Sequence, residues 1–68
     1  MRWRRNSRGD HENRRGVKKV VVSKLDGVFL LSRFFWGDFE YDTLHIDLDQ
    51  ALSEGAKFLR TKGYASKM

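Results

Sequence analysis

The sequence contains no cysteine and no proline, and no apolar run approaches the roughly 18 residues of a membrane span. Without cysteine there is no disulfide and no thiolate metal site, which suits a reducing compartment. The start, Met1-Arg2-Trp3-Arg4-Arg5, lacks the apolar segment of a secretory signal, so a cytoplasmic protein with no membrane contact is expected. Also missing are a Gly-rich phosphate loop, a Cys–His pair and a defensible Ser–His–Asp pattern. Neither enzymatic activity nor a cofactor is expected.

What the chain does have is basic charge, unevenly placed. Its 68 residues carry a formal charge of +5. Residues 1–19 hold eight Lys/Arg against two acidic side chains, residues 20–50 hold two against six, and residues 51–68 hold four against one. A polyanion is therefore expected at the ends of the chain rather than at its middle. The length allows one small domain, of the size that buries only about 60% of its unfolded surface.

Residues 1–16 are polar, with Trp3 as the single large apolar side chain. They are expected to form a disordered basic arm. A mini-domain over residues 17–63 should follow, with residues 64–68 as a tail. Val17 to Leu25 reads as a strand ending at the hairpin signal Asp26-Gly27, Val28 to Trp36 as a second strand, and Phe39 to Ile46 as a third after Gly37-Asp38. Those loops would pair Val22 with Leu31, Arg33 with Asp42, Leu31 with Leu44 and Phe29 with Ile46. Residues 48–62 read as a helix with Asp47 as N-cap, Gln50 completing a capping box, and Gly63 beyond the C-terminus. Leu48, Ala51, Leu52, Gly55, Ala56 and Leu59 fall on one stripe, where Gly55 implies a close approach. The fold class expected is thus α+β, a three-stranded antiparallel sheet in β-β-β-α order. The helix should cover its aliphatic face, formed by Val20, Val22, Phe29, Leu31, Leu44 and Ile46.

Arg2, Arg4, Arg5, Arg8, Arg14, Arg15, Lys18 and Lys19 have the density of arms that track phosphates, and Trp3 among them could stack on an unpaired base. Lys57, Arg60 and Lys62 would add phosphate contacts from the helix end. Phe34, Trp36, Phe39 and Tyr41 should be left uncovered by the single helix, as a homodimer or partner interface. His45, Asp47 and Asp49 have acid–base chemistry, but capping and strand roles explain them better, and no metal site is expected. Asp38, Glu40 and Asp42 alternate along one edge as a solvated strand face, and Arg8-Gly9-Asp10 matches an adhesion tripeptide by chance.

The order strand–strand–strand–helix after a basic segment, over residues 17–62, is similar in shape to the arm-binding domains of phage and transposon integrases. It also resembles a plant DNA-binding domain with a three-stranded sheet. The resemblance implies a sheet that enters the major groove, and it carries over no individual residue. Small phage proteins that bind host enzymes share the strand and helix order as well. The function expected is nucleic-acid binding, DNA ahead of RNA, by a homodimer. The alternative is a regulator that docks on a host protein through the aromatic face or the acidic edge.

Overall fold

The β-branched run Val20-Val21-Val22 lies in the central strand of a five-stranded antiparallel sheet. The computed structural model describes residues 2–61. Its strands are β1 (Arg4–Arg5), β2 (His11–Arg15), β3 (Lys18–Lys24), β4 (Phe29–Phe35) and β5 (Asp38–His45), in that order across the sheet, followed by helix α1 (Leu48–Arg60).

The three-stranded expectation is overturned by the first two strands. The basic segment is part of the sheet, not a disordered arm. Arg4 pairs with Glu12 and Arg5 with His11, and β2 runs antiparallel to β3 from His11↔Val22 to Arg15↔Lys18. Two turns make this possible. In the first, the Asn6 side-chain carbonyl accepts from the backbone N–H groups of Arg8 and Asp10, both at 2.9 Å, which closes the loop locally. Arg8-Gly9-Asp10 is the far side of that turn. In the second, Gly16-Val17 is a two-residue loop with Gly16 at φ 62°, the positive φ that a glycine-first hairpin turn requires. With the arm gone as a separate body, the likeness in shape to three-stranded DNA-binding sheets lapses too.

The β3–β4 hairpin follows the expected register, with Val22 opposite Leu31 and Leu25 N–H donating to Val28 C=O at 2.8 Å. The β4–β5 register does not. Its loop is Trp36-Gly37 rather than Gly37-Asp38, and a bulge at Glu40 shifts the ladder between Arg33 and Phe34. Phe29, Leu31 and Arg33 therefore face His45, Thr43 and Tyr41. The expected Arg33–Asp42, Leu31–Leu44 and Phe29–Ile46 pairs are absent. A one-residue slip turns every side chain over. Leu44 and Ile46 leave the helix side and stand 62% and 82% exposed, while Tyr41, Thr43 and His45 replace them.

Both central residues of the β4–β5 turn have positive φ, Trp36 at 55° and Gly37 at 84°. That is the pattern of a type I′ turn, which matches strand twist and favours Asn-Gly. A tryptophan in the first position carries about 1 kcal/mol of backbone strain.

Helix α1 forms as the pattern requires. The Asp47 carboxylate accepts from Asp49 N–H at 3.0 Å as N-cap, and Asp49 sits in the positive end of the dipole. The helix packs Ala51, Gly55 and Leu59 against Val20, Val22 and Leu31, with Trp3, Phe29, Leu48, Leu52 and Phe58 around them. Gly55 answers a close approach, though chiefly to an unexpected neighbour. A Cβ there would stand 2.9 Å from the Trp3 ring and 3.2 Å from Leu31 Cδ1. Trp3, expected to reach for a base, is a core residue.

Candidate functional site

Strand alternation divides the sheet into a helix-covered face and an open one. The open face carries, row by row across the strands, Arg4–Glu12–Val21–Ser32–Asp42 and Arg14–Lys19–Phe34–Phe39. The second row passes from two cations to two rings. Lys19 Nζ lies 5.4 Å from the centre of the Phe34 ring, and Phe34 meets Phe39 edge to face at 6.0 Å. Arg2, Arg4, Arg14 and Lys19, with Glu12 and Asn13, line a concavity of about 330 Å³ at the basic side of this row. Asn13 Oδ1 accepts from Arg14 N–H at 2.8 Å, while its buried Nδ2 has no partner among the described residues.

Net charge also differs between the two ends of the strands. The β2–β3 turn, the β4–β5 turn and the helix C-terminus share one end of the sheet, where Arg14, Arg15, Lys19 and Arg60 outnumber Asp38 and Glu40 of β5. Trp36 N–H donates to Val17 C=O at 2.8 Å and ties the two turns together. The other end holds Asp10, Asp26, Asp47 and Asp49 around the remaining turns and the helix N-terminus, nearly offset by Arg5, Arg8 and Lys24.

The twelve side chains expected to bind nucleic acid therefore separate. Arg2, Arg4, Arg14 and Lys19 share the concavity. Arg15 and Arg60 line a second cleft at the same end, together with Phe35. Arg5 and Arg8 belong to the far end, where Arg5 Nε donates to Gly9 C=O at 2.9 Å and Arg8 pairs with Asp10 at 3.6 Å. Lys57 pairs with Glu54 at 3.6 Å on the helix exterior. Trp3 packs in the core, and Lys62 and Gly63 lie outside the described residues.

Lys18 has a structural task instead. It is 5% exposed, and its ammonium donates to the carbonyls of Phe58, at 3.2 Å, and Thr61. It thus satisfies acceptors that the last helical turn leaves open. Desolvation, and then the nearby Arg15 charge, lower its pKa from the ordinary 10.5. The folded state disfavours the charged form, so the unfolded chain binds this proton more tightly. The Lys18 contribution to stability should rise as pH climbs through the lowered value toward 10.5. Lys18→Met should remove that rise, and at neutral pH cost about 1–2 kcal/mol, because the Thr61 carbonyl loses its ammonium donor and, among the described residues, the Phe58 carbonyl keeps only the Thr61 N–H at 3.3 Å. Urea unfolding of both proteins at neutral pH and near pH 10 reads the difference.

Arg33 is the other buried cation among the described residues. It donates from Nη1 to Thr43 Oγ1 at 3.1 Å and lies 4.4 Å from the Tyr41 ring centre, with Phe58 at 6.0 Å. These contacts depend on the slipped register. They also place Tyr41 on the helix face, so the four aromatics expected as one interface do not form one patch. Phe34 and Phe39 are on the open face, and Trp36 is at the turn. His45 stands 2.8 Å from Thr43 Oγ1, Asp47 caps the helix, and no cluster of metal-ligating side chains occurs among the described residues.

What sequence reading missed is the union of arm and aromatics on one surface. Gly16 between Arg15 and Val17 was the signal that could have shown it. No helix among the described residues is long and apolar enough to cross a membrane. No protein-family model, curated protein or solved structure matches the chain.

Proposed function

We propose that the protein binds nucleic acid through the basic and aromatic end of its open sheet face. The observation that carries this reading is the row Arg14–Lys19–Phe34–Phe39, in which cations pass directly into rings on an uncovered surface. Arg and Lys gain affinity for phosphates by releasing condensed counterions, and rings add stacking on bases. The far end, where Arg5, Arg8 and Lys24 nearly offset four aspartates, attracts a polyanion less than the basic end does. The role is binding, in the cytoplasm, with DNA as the first target to test.

The experiment is fluorescence anisotropy of a labelled oligonucleotide at rising salt. With the four cations of the concavity engaged, log affinity should fall against log salt with a slope of about −3. Association that ignores salt, or none at low salt, removes the reading.

Exposed Leu44 and Ile46 favour a second reading, a self-association surface on the other half of the open face. A dimer would bring two basic ends to one strand and raise their effective concentration. Sedimentation equilibrium should give twice the chain mass for the free protein and the single mass for Ile46→Asp. A monomer from the outset ends this second reading.

A further inference from the structure

We infer that the strand this surface takes is unpaired, and that Trp36 is a platform on which one of its bases stacks. The inference rests on the nucleic-acid reading above and specifies its substrate class.

Trp36 is out of place by every local criterion. Its position in the turn needs positive φ, which suits asparagine, aspartate or glycine. Among the described residues it is the only one other than glycine with positive φ. Burial offers no compensation, since the side chain is 72% exposed. Its ring meets Phe35 edge to face, with centroids 6.5 Å apart. Neither the turn nor the core calls for an indole there. Strained positions that persist in a well-determined hairpin mark functional sites more often than chance.

Its surroundings say what the indole meets. The bond from Trp36 N–H to Val17 C=O holds it beside the turn that leads into Lys18 and Lys19. Arg14 and Arg15 flank that same turn, and Phe39, 56% exposed, is the second residue of the return strand. A flat ring gains free energy from nucleic acid by lying on the face of a base. In a duplex those faces are covered by neighbouring pairs, and the grooves offer chiefly polar edges, with the thymine methyl as the apolar exception. Readers of those edges rely mainly on Arg, Asn, Gln or Glu, with rings confined to the thymine methyl or to wedges that unstack a step. An unpaired strand offers faces and phosphates together, the combination that rings and cations side by side can hold.

Lys19 supplies the coupling between the two. In the free protein its ammonium sits over Phe34 at 5.4 Å. A base arriving at Phe34 displaces it, and its stem is long enough to turn to the phosphate of the same nucleotide. The cation exchanges a ring for an anion.

The test uses a full-length Trp3→Phe variant, in which Trp36 is the remaining tryptophan of the original two. It is titrated at low salt with unpaired oligothymidylate and with a duplex of equal phosphate number. Quenching of Trp36 by the unpaired strand is expected, with affinity about tenfold or more above the duplex. Trp36→Asn should lose about tenfold for the unpaired strand, keep the salt slope, and melt no lower than its parent because Asn-Gly suits the turn. Trp36→Tyr should retain most of the affinity, which separates loss of a ring from damage to the hairpin. Equal binding of both oligonucleotides without quenching, or equal losses in the Asn and Tyr variants, would overturn the inference and leave nucleic-acid binding standing. If neither oligonucleotide bound the unaltered protein, both the inference and nucleic-acid binding would be overturned.

Discussion

Removing residues 1–16 should abolish cooperative folding. The β2 ladder pairs five residues with β3, and without it the central strand becomes an edge with unpaired backbone groups. Trp3 would go as well, leaving open space over Gly55 and Leu31, where its ring now lies within van der Waals reach. Loss of a packed tryptophan costs up to about 3–5 kcal/mol in a core. A domain with about 60 ordered residues has only about 3–9 kcal/mol to lose. The fully buried side chains are few, Leu31, Val20 and Val22 being the largest, so nothing elsewhere makes up the deficit. Thermal melts by far-UV circular dichroism decide the matter. The full chain should show a single sigmoidal transition and the truncated chain none. A sharp transition in the truncated protein would mean that the last three strands and the helix fold alone, and that the first two are an accessory.

The same hairpin shows which parts of this fold could be read from the amino acids. β3, β4 and α1 were legible because one face of each is apolar at the right period, and because Asp47, Asp26-Gly27 and Gly55 mark ends and close approaches. His11-Glu12-Asn13-Arg14-Arg15 has no such alternation. Glu12 and Arg14 face solvent, Asn13 is buried at 6% exposure, and pairing rests on backbone hydrogen bonds that any sequence can make. Only its turn residues, Asn6, Gly9 and Gly16, betrayed it. The β5 face was misassigned for a different reason. A bulge adds one residue, Glu40, without a signature of its own, and the Arg33–Asp42 ion pair made the unbulged register look self-consistent. The helix-side partners of Arg33 proved to be a ring and a hydroxyl. The candidate site suffered from both errors at once. Its cations lay on the segment read as an arm, and its rings on strands read as a separate dimer face. The individual residues were visible, but their shared surface was not.

That shared surface makes a definite claim about location, and charge reversal measures it. Arg14→Glu with Lys19→Glu should weaken oligonucleotide binding about 100-fold or more and flatten the salt slope by about 1.4. Two phosphate contacts are lost, and two carboxylates then repel the strand beside Glu12. The control is Arg8→Glu with Lys24→Glu, which changes net charge by the same amount at the opposite end of the sheet. Lys24 lies five residues along β3 from Lys19, about 17 Å at strand spacing. At 0.1 M salt that exceeds the screening length of about 10 Å, so the control should cost only a few-fold. Both pairs include exposed arginines and leave the buried residues of the core unchanged, and matching melts would confirm that folding is intact. If the two double variants lose affinity equally, binding follows net charge alone and the concavity is not a site. If only the first does, the polyanion is held where the basic row meets the rings.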